Sequence, residues 1–216
     1  MTGTINYSIM LIPSELAKAY IKQNHYSHGS HNHPSPCFGL FDVDRLIGVL
    51  MFATPCSERV RSSMYGSENV NHVIELHRLH ILDITPKNTE SWFISRCLKL
   101  LKQKNPMIWG VVAFSDSTEG HTGIIYRATN ANFYGMTSDS WFYLDEEGRL
   151  RHPRQNGVNI NLKEATNRGW TRIKRKGKYR YFWFLPNSRQ HARILHDICK
   201  LEILSYPQNV TYETNR

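Results

Sequence analysis

Four histidines within nine residues form the first group whose side chains could do chemistry: His25, His28, His31 and His33. Imidazole binds iron, zinc, nickel or copper, and it exchanges protons near neutral pH. The spacing matches no standard zinc motif, and no cysteine lies close enough to complete one. The run therefore indicates either a polar loop or part of a site whose other groups come from elsewhere in the chain.

Asp116 is a second candidate because it ends the apolar segment 106–116, which is typical of a buried strand. α/β proteins usually form their sites at the carboxyl ends of such strands. Asp116 could act as a general base, ligate a metal ion or cap the turn that follows. Together with His25, it would resemble the carboxylate–imidazole sites of non-haem iron proteins.

The elements that must position these residues follow from apolar periodicity. We expect strands at 5–12, 37–43, 45–54, 73–82, 106–116 and 178–186, and one beginning within 132–144. We expect helices at 14–23, 92–103 and 120–129, and a closing helix at 190–204. This order matches the acetyltransferase (GNAT) plan. The expected fold is one α/β (α+β) domain over 1–216, with a mixed central sheet, a splayed central strand pair and helices on both faces.

The start of the helix predicted at 92–103 is a candidate cofactor site. A helix N-terminus offers free N–H groups and the positive end of a dipole, and GNAT enzymes bind the pyrophosphate of coenzyme A there. Asn88, Thr89 and Ser91 lie at this position, where Thr89 or Ser91 could also be a plain helix cap. The usual acetyltransferase glycine signature is absent. Tyr126 lies where acetyltransferases often carry a tyrosine that protonates the leaving thiolate, although it could also be a core aromatic.

The segment 149–193 is strongly basic, with 13 Lys or Arg residues against one acid, Glu164. Its part RGWTRIKRKGKYRYFWF interleaves cations with aromatic residues. Cations neutralise phosphates and aromatic rings stack on exposed bases, so we predict a surface for double-stranded DNA. A β-hairpin with a basic tip and a core-facing aromatic strand is the plainer alternative. The candidate DNA-binding residues are Arg168, Trp170, Arg172, Lys174, Arg175, Lys176, Lys178 and Arg180.

Composition limits the classes of protein that fit. The chain is 40% hydrophobic and carries a net charge of +9 with a pI of about 9.5, which favours a polyanionic partner. No apolar run reaches the roughly 18 residues that span a bilayer. The N-terminus shows no signal-peptide pattern, so the cytoplasm is the expected compartment. The four cysteines contain no CxxC pair and are expected to be mostly buried thiols.

Three collinear stretches within residues 20–140 resemble the Mom family of phage DNA-modification proteins. They are NHYSH, IELHRLHILDITPKNTESWFISRCLKLL, and SDSTEGHTGIIYRATN followed by NFYG. The resemblance implies an enzyme that converts adenine in DNA to N6-carbamoylmethyladenine in the host bacterial cell and so protects phage DNA from restriction. It also implies a GNAT-like fold, acetyl-CoA and an iron ion (Fe²⁺).

The resemblance assigns roles by matching motif positions. The implied catalytic residues are His25, Tyr26, Asp116 and Tyr126. The implied metal ligands are His25, Asp116 and Tyr26. The implied cofactor-binding residues are Arg78 and Ser91, beside Asn88 and Thr89 at the same helix start.

Two other functions fit the sequence. An ordinary GNAT enzyme that acylates a protein or a small amine would release thiol with an acceptor other than DNA. A catalytically silent DNA-binding protein would bind DNA with a steep salt dependence and leave the nucleosides unaltered.

Overall fold

The structure is a computed structural model that describes residues 7–55, 57–155 and 158–207. The strands are β1 Ser8–Leu11, β2 Cys37–Asp42, β3 Arg45–Ala53, β4 Val73–Ile81, β5 Gly110–Ser115, β6 Asn132–Met136, β7 Ser140–Leu144, β8 Leu150–Arg151, β9 Arg154–Gln155, β10 Val158–Asn159, β11 Thr171–Arg175 and β12 Tyr179–Phe184. The helices are α1 Ser14–Asn24, α2 Glu58–Tyr65, α3 Thr89–Lys104, α4 Ile124–Arg127, α5 Leu162–Asn167 and α6 Arg189–Ile198. Short 3₁₀ helices span Ser67–His72 and Ser117–Glu119.

Seven strands form a mixed sheet in the order β1-β2-β3-β4-β5-β12-β6. Every neighbouring pair is antiparallel except β4 and β5, which run parallel. The parallel pairing covers only Val73–Leu76 against Gly110–Ala113, while β4 continues to Ile81 and β5 to Ser115. The two central strands therefore separate at their carboxyl ends, as the sequence order predicted.

Helices cover both faces of this sheet, and strand alternation explains how. The apolar face of α3, including Phe93 and Leu101, packs in one cluster with Leu50 of β3. The next residue of β3, Met51, points to the opposite face and packs with α1 around Ile21. α2 and α6 cover that second face farther along the sheet, against Val112 and Phe182. The predicted mixed sheet with helices on both faces is confirmed.

A separate lobe is inserted between β6 and β12. This insertion lobe, residues 137–178, contains a three-stranded sheet in the order β11-β7-β8, the β9–β10 pair and α5. Its small core consists of Tyr143, Ile160 and Ala165 with Trp170 packed against them. The predicted strand within 132–144 is therefore two strands, β6 and β7, that lie in different sheets.

The hairpin predicted as the plainer alternative for the basic segment is wrong, whereas its core-facing aromatic strand is confirmed. β11 pairs with β7 in the insertion lobe, whereas β12 enters the central sheet between β5 and β6. Because helices cover both faces of β12, Tyr181, Phe182 and Trp183 are all buried. α2 was not predicted, and the helices predicted at 120–129 and 190–204 are longer than α4 and α6.

The remaining bulk expectations concern cysteines and membrane spans. Cys37 and Cys97 are buried free thiols, Cys199 is half-buried, and Cys56 lies outside the described residues. In the described ranges, no helix is both long and apolar enough to cross a bilayer.

Candidate functional site

A cavity of about 710 Å³ lies where β4 and β5 separate. Its walls come from the His25–Tyr26 turn after α1, the end of β4, the end of β5, and the loop that leads into α4. The insertion lobe closes one side. The lining residues are His25, Tyr26, Glu75, Leu76, His77, Arg78, Leu79, Glu90, Phe114, Ser115, Asp116, His121, Thr122, Gly123, Ile124, Ile125, Tyr126, His152 and Lys178. The cavity thus contains four of the catalytic candidates: His25, Tyr26, Asp116 and Tyr126.

Asp116 follows β5 and is 7% exposed. Its Oδ1 accepts a hydrogen bond from the Thr118 N–H at 3.1 Å, which caps the short 3₁₀ turn. Its Oδ2 lies 3.1 Å from Arg175 Nη2 and 3.4 Å from Lys178 Nζ. Burial opposes ionisation, but the two cations and the Thr118 N–H lower the pKa of Asp116 below its usual range. The carboxylate is therefore ionised at neutral pH.

His25 is a buried, neutral imidazole. Its Nδ1 lies 3.1 Å from the Ser27 N–H, which can only donate, so Nδ1 is the unprotonated nitrogen and Nε2 carries the proton. Burial and the nearby cation of Arg78 lower the pKa of His25 to about 4. The imidazole can therefore donate a hydrogen bond from Nε2 across the physiological pH range.

Tyr26 presents a half-exposed ring to the cavity. The ring stacks on His25 with centroids 4.3 Å apart, and it lies 5.7 Å from the ring of His121. Tyr26 is 53% exposed although one face of its ring packs on His25. Burial and the charge of Asp116 raise the pKa of Tyr26, so the phenol stays protonated. This arrangement provides a flat apolar surface with a hydroxyl at its end.

Tyr126 lies in α4 and belongs to the core while it lines the cavity. Its ring contacts those of Tyr181 and Trp183 at 5.4 Å. Burial raises the pKa of Tyr126 far above its usual range, so the hydroxyl is protonated and can act only as a donor or a neutral acceptor. Gly123 precedes α4 at φ +76°, and a Cβ there would meet the Tyr181 ring at 2.3 Å, so only glycine allows this packing.

Arg78, on β4, connects the histidine loop to the sheet. Its Nε donates to the Gly29 carbonyl at 2.8 Å and its Nη1 to the His77 carbonyl at 2.7 Å. The guanidinium also lines the cavity. Arg78 therefore holds the loop that carries His25 and Tyr26 against β4.

The three candidates at the start of α3 contribute through the backbone. Asn88 is the residue before the helix, in the left-handed conformation at φ +71°, and no side chain caps the helix. Thr89 Oγ1 donates to Pro86 O and Ser91 Oγ donates to Asn88 O, so neither hydroxyl caps an N–H. Prediction of Thr89 or Ser91 as a side-chain cap was therefore wrong.

That helix start still offers donors. The Thr89 and Trp92 N–H groups are bonded to the Pro86 and Asn88 carbonyls. The first four N–H groups of a helix have no partner within the helix, which leaves those of Glu90 and Ser91 for a ligand. Glu90 is also part of the cavity wall. The arrangement fits an anionic group such as a pyrophosphate.

The predicted iron ligands do not form a metal site. Two cations, Arg175 and Lys178, already neutralise the Asp116 carboxylate, and the Nδ1 of His25 is bonded to a backbone N–H. The described part of the chain contains no group of three or more His, Cys, Asp or Glu side chains that could hold a metal ion. The donors of His25, Tyr26 and Asp116 therefore do not fit iron.

The predicted DNA-binding residues divide into two groups. Arg168, Arg172, Lys174 and Lys176 are exposed on the insertion lobe, and Trp170 is half-buried beside Arg168. The other three make contacts with the rest of the protein, although the Lys178 side chain is also 49% exposed. Arg175 and Lys178 contact Asp116, and half-buried Arg180 donates to the Tyr134 carbonyl at 3.0 Å.

Five ionisable residues of the cavity wall were not predicted from the sequence: Glu75, His77, Glu90, His121 and His152. His121 had a usable signal, because it follows Asp116 in the same quoted motif. Glu75 and His77 lie on the predicted strand 73–82, at positions that face the opening between β4 and β5. His152 had no local signal, since only the docking of the insertion lobe brings it to the cavity.

Comparison with known proteins identifies the family. The profile of the Mom protein family matches residues 6–208. Methylcarbamoylase Mom of Escherichia phage Mu is 26% identical over 213 residues, which cover 95% of this chain and 86% of that protein. An acetyltransferase from Salmonella typhimurium, solved with its cofactor acetyl-CoA, has 10% identity and a TM-score of 0.50, covering 85% of this chain and 96% of the other. This last likeness shows the acetyltransferase fold alone. Because the family profile spans nearly the whole chain, the protein belongs to the Mom protein family.

Proposed function

We propose that this protein is a DNA-modifying enzyme that converts adenine in DNA to N6-carbamoylmethyladenine. It belongs to the Mom protein family, and its phage Mu relative is named a methylcarbamoylase. The modification would protect phage DNA from restriction enzymes in the cytoplasm of the host bacterium.

The observation that carries this proposal is that two regions share one cavity. The central sheet contributes Asp116 and Tyr126, and the basic insertion lobe contributes His152 and Lys178. An enzyme that modifies a base must take that base out of the duplex, which requires a pocket beside a surface for the phosphates. A cavity bordered by a cationic lobe supplies both.

The ionisation states suggest a role for each residue. The Asp116 carboxylate would accept a hydrogen bond from the N6 amine and stabilise positive charge as the N6–carbon bond forms. The neutral His25 would donate from Nε2 to a carbonyl oxygen of the transferred group. The Tyr26 ring would stack on the extruded adenine, and the protonated Tyr126 would donate a hydrogen bond to the bound group.

Acetyl-CoA is the cofactor that fits this fold best. Its pantetheine arm would pass between β4 and β5, and its pyrophosphate would accept hydrogen bonds from the N–H groups of Glu90 and Ser91. Asn88 and Thr89 would shape that helix start. When bound, the cofactor would place its thioester at the cavity, whereas the N6–CH₂ bond and the amide nitrogen of the product require chemistry beyond acetyl transfer. Arg78 would support the site by holding the histidine loop.

Double-stranded DNA would bind the exposed face of the insertion lobe. That face carries Arg168, Arg172, Lys174 and Lys176 with the half-buried ring of Trp170. The Arg172 guanidinium lies 3.9 Å from the ring centroid of Trp141, which is 45% exposed and could stack on sugar or base. The lobe is tied to the sheet through Asp116, so we treat 1–216 as one domain with 149–193 as its DNA-binding part.

The test is the mass of the nucleosides in plasmid DNA recovered from bacteria that express the protein. We expect deoxyadenosine that is heavier by one carbamoylmethyl group, and its loss in Asp116→Asn. A different added mass on a base would retain DNA modification and change the transferred group. Unmodified DNA from a well-folded, well-expressed protein would contradict the proposal and favour a non-DNA acceptor.

A further inference from the structure

Strand β11 of the insertion lobe carries cations on both of its faces. Arg172 and Lys174 alternate with Arg175 along the strand, so their side chains point to opposite sides. The Arg172 guanidinium lies over Trp141, whereas Arg175 lies 5.7 Å from the ring of Phe142, the next residue of β7. One face of the strand therefore looks to solvent, and the other looks towards the cavity.

Arg175 forms ion pairs with two carboxylates. Its Nη2 lies 3.1 Å from Asp116 Oδ2 and 2.9 Å from Glu119 Oε1. The Arg175 side chain is only 13% exposed, and that of Asp116 is 8% exposed. A guanidinium held this way cannot reach a DNA phosphate without giving up its contacts with both carboxylates, one of which is buried, and this is costly.

The neighbouring residues attach the same strand end to the same loop. Ser117 Oγ donates to the Gly177 carbonyl at 2.6 Å, and Lys178 Nζ lies 3.4 Å from Asp116 Oδ2. Gly177 N–H donates to Asp139 Oδ1 at 2.9 Å within the lobe. Segment 175–178 is therefore the joint between the insertion lobe and loop 116–119.

We propose that Arg175 is a positioning residue for the base-modification reaction, acting through Asp116 and not through DNA. Arg175 orients the Asp116 carboxylate towards the cavity. Because Arg175 belongs to the insertion lobe, this orientation requires the lobe to be packed against loop 116–119. The lobe that binds DNA therefore also orients the carboxylate that contacts the extruded base. This inference rests on the proposed function.

The experiment compares two arginines of one strand in the full-length protein. Arg175→Gln removes the inward cation, and Arg172→Gln removes the outward one. Each variant is assayed for duplex DNA affinity, for the rate of adenine modification against DNA concentration, and for hydrogen exchange of loop 116–123. Arg175→Lys tests whether a shorter cation restores the rate in part, and thermal unfolding checks that each variant is folded.

We expect Arg175→Gln to lower kcat by about 10²-fold, the cost typical of a small misplacement of a reacting group, with little change in KM for DNA. Exchange of loop 116–123 should rise. Arg172→Gln should raise KM for DNA, reduce the salt dependence of binding by about one phosphate contact, and leave the loop protected. Arg175→Lys should recover part of kcat, and Glu119→Gln, which leaves the Asp116 pair intact, should lower kcat less than Arg175→Gln.

Three results would overturn the inference: DNA affinity lost in Arg175→Gln as in Arg172→Gln, an unchanged kcat, or an unchanged exchange rate in the loop. The exchange measurement does not depend on the reaction. If the wild-type protein leaves DNA unmodified, the proposed function fails, while the exchange result still decides whether Arg175 holds the Asp116 loop. If Arg175→Gln does not fold, Arg175→Lys gives the same comparison.

Discussion

The central sheet and the insertion lobe are stabilised in different ways. The sheet buries a continuous core, in which Phe52, Phe93 and Leu101 are fully inaccessible to solvent. The core of the lobe is limited to Tyr143, Ile160, Ala165 and the half-buried Trp170. Much of the remaining structure of the lobe depends on charge pairs, such as Asp145 with Arg149 and Arg151.

This difference implies that the central sheet, the frame of the protein, is more stable than the insertion lobe. Apolar burial contributes about 25 cal/mol per Å², whereas exposed ion pairs contribute at most about 1 kcal/mol each. We therefore expect the sheet to hold the geometry of the cavity and the lobe to open without unfolding the frame. Under the proposed function, the region around the central sheet would supply the reacting groups, and the lobe would bind the DNA.

The largest expected effect is at the point where the two regions meet. Asp116→Asn removes the charge that would stabilise the reacting amine, and it leaves Arg175 and Lys178 without that partner. We expect the rate of adenine modification to fall by about 10²- to 10⁴-fold, measured from nucleoside masses. Asp44→Asn, in the exposed turn between β2 and β3, is the matched control. A rate within twofold of wild type in Asp116→Asn would remove this residue from the mechanism.

A pair of core truncations sharpens the comparison of stability. Phe93→Ala should lower the free energy of unfolding by about 3–5 kcal/mol, because it opens a cavity in the main core. Trp170→Ala should raise hydrogen exchange in β7 and β11 while β3 and β4 stay protected. If Trp170→Ala instead destabilises the whole chain as much as Phe93→Ala does, the lobe and the sheet unfold as one unit.

A smaller effect is expected on the pH dependence of stability, and it arises at His25 in the turn after α1. The pKa of His25 is about 4 in the folded state and about 6.5 when unfolded, so the unfolded chain binds the extra proton between these values. The contribution is fully present above pH 6.5 and is lost as pH falls towards 4, by about 1–2 kcal/mol between pH 7.5 and 5. Urea unfolding of His25→Gln should show a flatter profile than that of His28→Gln, an exposed control. Equal profiles would show that His25 is not held neutral.

The smallest expected effect is on the outer face of the lobe. Lys176 is exposed, and Lys176→Gln should weaken DNA binding uniformly across sequences and reduce the slope of log affinity against log salt by about one. Fluorescence titration of a labelled duplex at several salt concentrations measures this. Lys18→Gln, at a half-buried position of α1 outside the lobe, should leave the slope unchanged, and an equal change in both variants would show that the lobe is not the DNA surface.

Much of the frame was predictable because its signals are local. β2 and β3 have strong apolar runs around one tight turn, and α3 shows a clear apolar face through Phe93, Cys97 and Leu101. α2 has few apolar residues in ERVRSSMY, so its periodicity was too weak to detect. β11 was assigned to the wrong partner because strand pairing is decided by tertiary contacts, which here favour the distant β7.

The candidate site shows the same division. The resemblance to known motifs brought His25, Tyr26, Asp116 and Tyr126 together, and the structure places all four on one cavity. Composition alone grouped Arg175 with its exposed neighbours, because charge does not reveal which face of a strand a residue occupies. Arg175 is buried against Asp116 because of how the insertion lobe packs on the central sheet. The periodicity of the sequence does not indicate that packing.

The most direct test of the central claim is photo-crosslinking with duplex DNA that carries a photoreactive adenine analogue. Digestion and mass spectrometry then locate the crosslinked residue. If the lobe delivers an extruded adenine to the shared cavity, the crosslink will lie on cavity residues such as Tyr26, His121 or His152. Crosslinks found only on the outer face of the lobe, with the cavity unlabelled, would contradict that account.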